Sequence, residues 1–202
     1  MRAIQGLVYR EKNPQQLRCE MCKVVGTAST TLYRCFDCYM APTLCRQCIF
    51  DSHSHNPFHF VEEWDFERRF WHRTPLSSLG LTIELGHGGD RCPFSIGEGR
   101  PMCVVSEHGI HHLAVRFCGC TGDATKEVVP DATQLLQHGF WPASWSKPST
   151  IFTLGLMKTF SLLATQANVN AYDYFEVLRR KTDGIFPQDT TVSLMSCPEY
   201  SR

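Results

Sequence analysis

Arg18-Cys19-Glu20-Met21-Cys22, Cys35-Phe36-Asp37-Cys38 and Cys45-Arg46-Gln47-Cys48 place three Cys-x-x-Cys pairs within thirty residues. His53, His55 and His59 come directly after. A Cys-x-x-Cys pair on a tight turn aims two thiolates at one point, and a tetrahedral Zn²⁺ is held by four such donors. Six cysteines and two of the histidines therefore make two complete four-ligand sets. The remaining question is how the pairs combine. Sequential grouping joins Cys19, Cys22, Cys35 and Cys38. Interleaved, or cross-brace, grouping joins Cys19 and Cys22 with Cys45 and Cys48, and leaves Cys35 and Cys38 to two histidines. The short link from Cys38 to Cys45 suits a chain stepping from one site to the other, which favours interleaving.

The order of three Cys-x-x-Cys pairs and two histidines, from Arg18 to Glu62, resembles the ZZ-type zinc finger. That resemblance implies a cross-brace module that binds peptides or proteins. Two histidine pairs remain open, His53 with His55 or His53 with His59. In either case four filled positions leave no room for a zinc-bound water, so such zinc is structural.

The bulk composition is that of a globular protein: 202 residues, 43% hydrophobic and 20% charged. Lys+Arg and Asp+Glu are both 20, a formal net charge of zero. No strong attraction to nucleic acid or to an anionic membrane is built into that balance. No apolar run reaches the length of a membrane span, and Met1-Arg2-Ala3-Ile4-Gln5 lacks a signal-peptide core. The chain is accordingly expected in a reducing compartment, not secreted. There, its eleven cysteines would bind metal instead of pairing as disulfides.

Along the chain, residues 1–17 read as a lead-in and 18–63 as the two-zinc finger. Residues 64–130 read as a short antiparallel β-rich region, 131–186 as helical and 187–202 as a tail. The fold class is thus α+β. Trp64, Phe66, Phe70 and Trp71 are expected to pack the finger against what comes next, the alternative being an exposed aromatic surface. Leu79 to Gly86 alternates at period two and reads as a half-buried strand, Met102 to Ser106 is a second candidate strand, and Ile110 to Phe117 is a third, with His111, Leu113, Val115 and Phe117 on one face. Glu107-His108-Gly109 reads as a tight hairpin turn between the last two. Asp131 is expected to cap a helix that ends at Gly139. Ser149 or Thr150 is expected to cap a longer helix to about Gln166. Asn170 caps a third, with Tyr172, Phe175, Val177 and Leu178 inward.

A second constellation lies in the β-rich region. Gly86-His87-Gly88-Gly89-Asp90-Arg91-Cys92 sets a histidine and a cysteine around a glycine-rich turn, and Cys118-Gly119-Cys120 comes after the last strand. Gly119 would let the backbone bend so that both thiols face one point. His87, Cys92, Cys118 and Cys120 are therefore a candidate third zinc site, with His111 an alternative ligand and Cys103 and His108 in reserve. The competing reading makes His111 a hydrogen-bonded core residue and the thiols small core hydrophobes.

Taken in order, these stretches resemble a family. They are Leu79 to His87, Gly109-Ile110-His111, Phe117-Cys118-Gly119-Cys120, Gln134-Leu135-Leu136, Phe140-Trp141-Pro142-Ala143-Ser144, Lys147-Pro148-Ser149-Thr150 and Tyr172 to Asp183. Together with the finger they resemble the CxC-type (CxC2-like) cysteine-cluster domain associated with KDZ transposases, the DNA transposases of eukaryotic mobile elements. The resemblance implies His53 and His59 as the finger's histidines, since Pro57-Phe58 stands before His59. It also implies a nuclear protein, with cytoplasmic residence the alternative. In a complete transposase an RNase H-like core with acidic metal ligands would come next, and no such acidic set stands in this chain.

Three functions compete. The first is a non-catalytic zinc-binding module that contacts a protein or peptide, or DNA through Arg68, Arg69, Arg73, Arg91, Arg100 and Arg116. The zero net charge does not support the DNA version. The second is a ubiquitin-ligase-like cross-brace adaptor. The third is a zinc hydrolase with an open site around His87, His108 or His111 and with Glu84 or Glu107 as general base.

Overall fold

The structure is a computed structural model, and it describes residues 17–95, 97–121, 128–184 and 186–190. The lead-in before Leu17, most of the loop expected from Thr121 to Pro130, and the tail after Thr190 lie outside the described residues. The chain divides into two compact units, Met1–Leu81 and Thr82–Arg202.

The first unit is built on a four-stranded sheet in the order β2-β1-β3-β4. Its strands are β1 (Leu32–Cys35), β2 (Leu44–Cys45), β3 (Val61–Asp65) and β4 (Phe70–Thr74), and helix α1 (Arg46–His53) continues directly from β2. All pairings are antiparallel, with Leu32 opposite Cys45, Cys35 opposite Val61 and Trp64 opposite Trp71. The aromatic stretch from Trp64 to Trp71 lies within the first unit, where it completes the finger's own sheet as a β3–β4 hairpin. Trp64 is buried and meets Trp71 across the strands at 5.1 Å between ring centroids. Such cross-strand aromatic pairs stabilise a two-strand contact beyond their buried area. Arg34, also buried, is held by Glu62 at 2.7 Å and lies over the rings of Phe36 and Trp71. Its charge is thus both paired and stacked.

The second unit carries a five-stranded sheet in the order β5-β7-β6-β9-β8. Here β5 is Thr82–Glu84, β6 Arg100–Ser106, β7 Gly109–Arg116, β8 Phe140–Pro142 and β9 Thr150–Thr153. The β6–β7 hairpin forms about the turn expected at Glu107-His108-Gly109, with Ser106 opposite Gly109. Three expectations are corrected. The sheet is mixed, because β5 runs parallel to β7 and β9 runs parallel to β6. The strand expected over Leu79–Gly86 shrinks to Thr82–Glu84. Leu76–Leu79 is a 3₁₀ turn that Gly80, at φ +93°, terminates in a left-handed conformation that favours glycine. Two strands, β8 and β9, come from the part read as wholly helical. Thr150-Ile151-Phe152-Thr153 is a β-branched and aromatic run, and that local preference prevails over the apolar spacing that suggested a helix.

Helix α2 spans Asp131–Gln137, α3 Leu154–Ala167 and α4 Ala171–Thr182. Asp131 is the first residue of α2, not its cap, and pairs with Arg100 at 2.8 Å. The cap of α3 is Thr153, whose side chain accepts from the Leu156 amide, so the start expected at Ser149 or Thr150 moves to the end of β9. Asn170 caps α4 as expected, accepting from the Asp173 amide. Cys103, Val105 and Ile110 from the hairpin, Leu156 from α3 and Tyr174 and Leu178 from α4 form one buried cluster. Tyr172 and Val177, expected inward, are exposed. Phe175 and Leu178 face inward as expected, Phe175 partly buried against the cluster, and Tyr174, four residues before Leu178 and so on one face with it, joins them. Among the described residues no helix is long and apolar enough to cross a membrane.

Truncating Leu178 to Ala should cost about 2–5 kcal/mol, because a fully buried side chain leaves a cavity, whereas Tyr172→Ala should stay within about 0.5 kcal/mol. Urea denaturation monitored by circular dichroism would measure both, and equal losses would contradict the α4 orientation.

Candidate metal centres

Three groups of four donors converge. Cys19, Cys22, Cys45 and Cys48 form one, Cys35, Cys38, His53 and His59 a second, and His87, Cys92, Cys118 and Cys120 a third. Within each, the donor atoms lie within 4.8 Å of one another. The first and third Cys-x-x-Cys pairs therefore come together, and the middle pair meets the histidines. His55 stays exposed and outside the second group.

The spacing of donors tests the fit of a metal. With Zn–S of about 2.3 Å and Zn–N of about 2.0 Å, a tetrahedral ion has S···S edges of about 3.8 Å and S···N edges of about 3.5 Å. In the first group Cys22 Sγ and Cys45 Sγ stand 3.6 Å apart. In the second, Cys38 Sγ is 3.5 Å from His53 Nε2 and 3.4 Å from His59 Nδ1. In the third, Cys92 Sγ is 3.7 Å from both Cys118 Sγ and Cys120 Sγ, and His87 Nε2 is 3.4 Å from the same two sulfurs. A disulfide needs about 2.05 Å. The ten cysteines of the described residues are free thiols. All three donor sets fit zinc.

Local structure delivers each donor. Backbone hydrogen bonds from Lys23 N to Cys19 O and from Ala41 N to Cys38 O close the first two turns, with Lys23 and Ala41 at positive φ. Cys45 ends β2 and precedes α1, which carries Cys48 and His53. His53 is oriented from behind. Its Nδ1 is 2.8 Å from the Ile49 carbonyl, which only accepts, so Nδ1 carries the proton and Nε2 presents its lone pair to Cys38. Burial also lowers the His53 pKa from its ordinary range, which keeps the imidazole neutral as a ligand must be.

The third group depends on glycines and on α2. A Cβ on Gly119 would stand 2.3 Å from the Phe94 carbonyl oxygen, so only hydrogen fits between Cys118 and Cys120. Gly119 therefore allows a close backbone approach beside two cysteines that share one donor group. Gly86, at φ +98°, would place a Cβ 3.2 Å from that of Cys118. Two residues that sequence reasoning did not assign to the site complete its frame. Buried Gln134 accepts from the Cys118 amide at 2.8 Å and donates to the Cys118 carbonyl at 3.0 Å. His138 Nε2 accepts from the Gly86 amide at 2.8 Å, while its Nδ1 donates to the Gln134 carbonyl. Gln134 lies on α2 and His138, four residues on, directly follows its last residue; that spacing alone does not mark them as supports.

The reserve residues lie elsewhere. His111 is buried and shares a hydrogen bond of 3.1 Å with Ser106 Oγ. Cys103 is in the core, where burial pushes its thiol up to about 11. His108 is in the β6–β7 turn.

Crowding splits the thiols. Burial alone would raise Cys19, yet the amides of Cys22 and Cys45 outweigh it and bring the thiol down to about 6. Its neighbour Cys48 is pushed up to about 12 by burial and by the adjacent Cys45, Cys19 and Cys22. In the third group burial of Cys92 is likewise outweighed by the Gly119 and Phe94 amides, giving about 6, while Cys118, burial and Cys92 push Cys120 up to about 11. Burial and Cys38 carry Cys35 to about 12. In the first and third groups one thiolate forms readily, and the next needs a positive charge beside it.

The family model "CxC2 like cysteine cluster associated with KDZ transposases" matches residues 76–185, more than half of the chain. The match contains the third donor group and leaves the first two upstream of it. No curated protein and no solved structure matches.

Gly119→Ala should destabilise the second unit by about 1–3 kcal/mol through forced backbone displacement, and Gly184→Ala, whose Cβ would meet only the Arg180 carbonyl oxygen at 3.6 Å, should cost less. Denaturant midpoints of the two variants would check the order.

Proposed function

Because the chain belongs to the CxC2-like cysteine-cluster family associated with KDZ transposases, we propose that it is a non-catalytic, zinc-folded interaction module of a transposase-type protein. The carrying observation is the donor spacing, which matches a tetrahedral ion in all three groups. In this reading the first two groups are a cross-brace pair of zinc sites and the third is a separate Cys₃His site. Each has four side-chain donors, so no coordination position is left for a reacting water. The groups that a zinc hydrolase would need are committed elsewhere. Glu84 is paired with Arg116, Glu107 accepts from Thr153 Oγ1 at 3.0 Å, and His111 is bonded to Ser106.

Charge favours a protein partner over DNA. The sequence is formally neutral. A four-thiolate zinc site adds two negative charges and a three-thiolate site adds one, so the loaded chain is anionic. Arg100 and Arg116 of the expected basic patch are occupied by Asp131 and Glu84. A basic protein segment is the chemistry that complements such a surface, and a nuclear location accords with a transposase-type protein.

Native mass spectrometry of the full chain should record three zinc ions. Zinc must displace thiol protons, above all from Cys35 and Cys48, so affinity falls as pH falls. Titration from about pH 8 to about pH 5 against a chromophoric chelator should release the metal progressively, and pH-independent retention would contradict thiolate ligation. In parallel, a fluorescent Lys/Arg-rich peptide should bind more tightly than duplex DNA of equal length at about 0.15 M salt. A strong, salt-sensitive DNA complex would reverse the partner assignment.

A further inference from the structure

We propose that the His87–Cys92–Cys118–Cys120 centre is a peroxide-responsive latch, which releases its zinc on oxidation while the second unit stays folded; this rests on the reading of that centre as a zinc site. The argument starts from where the ligands are held. In the first unit Cys19, Cys22, Cys38 and His59 lie in turns and loops, but the other four of the eight donors are built into the secondary structure. Cys35 ends β1, Cys45 ends β2, and Cys48 and His53 are on α1. Loss of metal there removes the support of the elements themselves. In the second unit no donor lies on a sheet strand. His87 is in a three-residue 3₁₀ turn, Cys92 in the loop after it, and Cys118 and Cys120 beyond Arg116, the last residue of β7. The buried cluster of Val105, Ile110, Leu156, Tyr174 and Leu178 draws on β6, β7, α3 and α4 and contains none of them. Opening this centre therefore unties loops and leaves a core behind.

The sulfurs are also placed for the chemistry. Cys118 and Cys120 are half-buried and His87 is exposed, so a small oxidant reaches the centre from solvent. Cys92 Sγ is 3.7 Å from each of the other two sulfurs, so it can bridge to either. A bridge between Cys118 and Cys120 themselves would span a single residue. The reaction uses hydrogen peroxide as oxidant. One thiolate attacks a peroxide oxygen, the O–O bond breaks, and a sulfenic acid and water form after proton uptake. A second thiolate attacks that sulfur and expels hydroxide, which takes a proton to give a second water. Two electrons pass from two sulfurs to peroxide, and one S–S bond forms. One thiolate and one imidazole remain, too few to hold zinc against a chelator.

The test begins with zinc content. Fewer than three ions per chain before oxidant would defeat the metal reading itself. With three present, the full chain is treated with about one equivalent of hydrogen peroxide beside a chromophoric chelator. The expected result is release of about one zinc, with a mapped disulfide from Cys92 to Cys118 or Cys120. Amide exchange should rise only in the segments flanking the ligands, and reductant with added zinc should restore the starting state. Cys92→His keeps four donors but removes the shared sulfur, and should slow release at least about tenfold. A first bridge among Cys19 to Cys48, loss of protection across β6, β7 and β9, or no bridge to Cys92 would overturn the proposal. If Cys92→His fails to take up zinc, the wild-type disulfide map decides.

Discussion

Sulfur atoms 3.6–3.7 Å apart are too distant to be bonded to each other and too close to be ionised together without a cation between them. The organisation of both units reflects how the chain brings donors to that separation. The amides of Cys22 and Phe94 point at Cys19 Sγ and Cys92 Sγ at 3.5 Å and 3.3 Å, which stabilises one thiolate in each of those clusters. Burial and the neighbouring thiols hold Cys48 and Cys120 in protonated reserve. A divalent ion held there would convert mutual repulsion into shared attraction.

The two units meet this demand in different ways. The first has little apolar mass, with Leu32, Ile49, Val61 and Trp64 among its buried residues. Its elements β1, β2 and α1 each end at a metal donor, Cys35, Cys45 and His53. Small modules of this kind draw much of their folding free energy from the ion. The second unit has a mixed sheet with two helices packed on its hairpin, and its donors hang from the sheet on connecting loops. The same four-donor chemistry is thus foundation in one unit and fastening in the other.

The Cys-x-x-Cys and Cys-x-Cys pairs were legible in the sequence because their spacing encodes a local geometry, whereas which pairs and which histidines converge is a long-range matter that the spacing left open. The β6–β7 hairpin was likewise legible, since a tight turn is local. What escaped was long-range. Nothing near Thr150 announces that it will lie parallel to Cys103, and the apolar spacing of Phe152 and Leu156 is shared by a strand running into a helix. On α4, Tyr172 and Tyr174 look equally eligible for the interior. Only the position of the hairpin decides that Tyr174 packs against it. Gln134 and His138 were invisible as supports because amide and imidazole side chains on a helix are ordinary until the loop they hold is in place.

The parallel pairing of β9 with β6 has a kinetic side. Between Ser106 and Thr150 the chain must complete β7, Cys118 and Cys120, α2 and β8 before the two strands can meet, and closing so long an excursion is entropically slow. An ion captured early by His87, Cys92, Cys118 and Cys120 would tie off part of that excursion, and Gln134 would then seat α2 beside it. The metal would thereby serve as a guide during assembly as well as a component of the finished molecule, and nascent chains short of zinc would dwell longest with the central strand unpaired on one side.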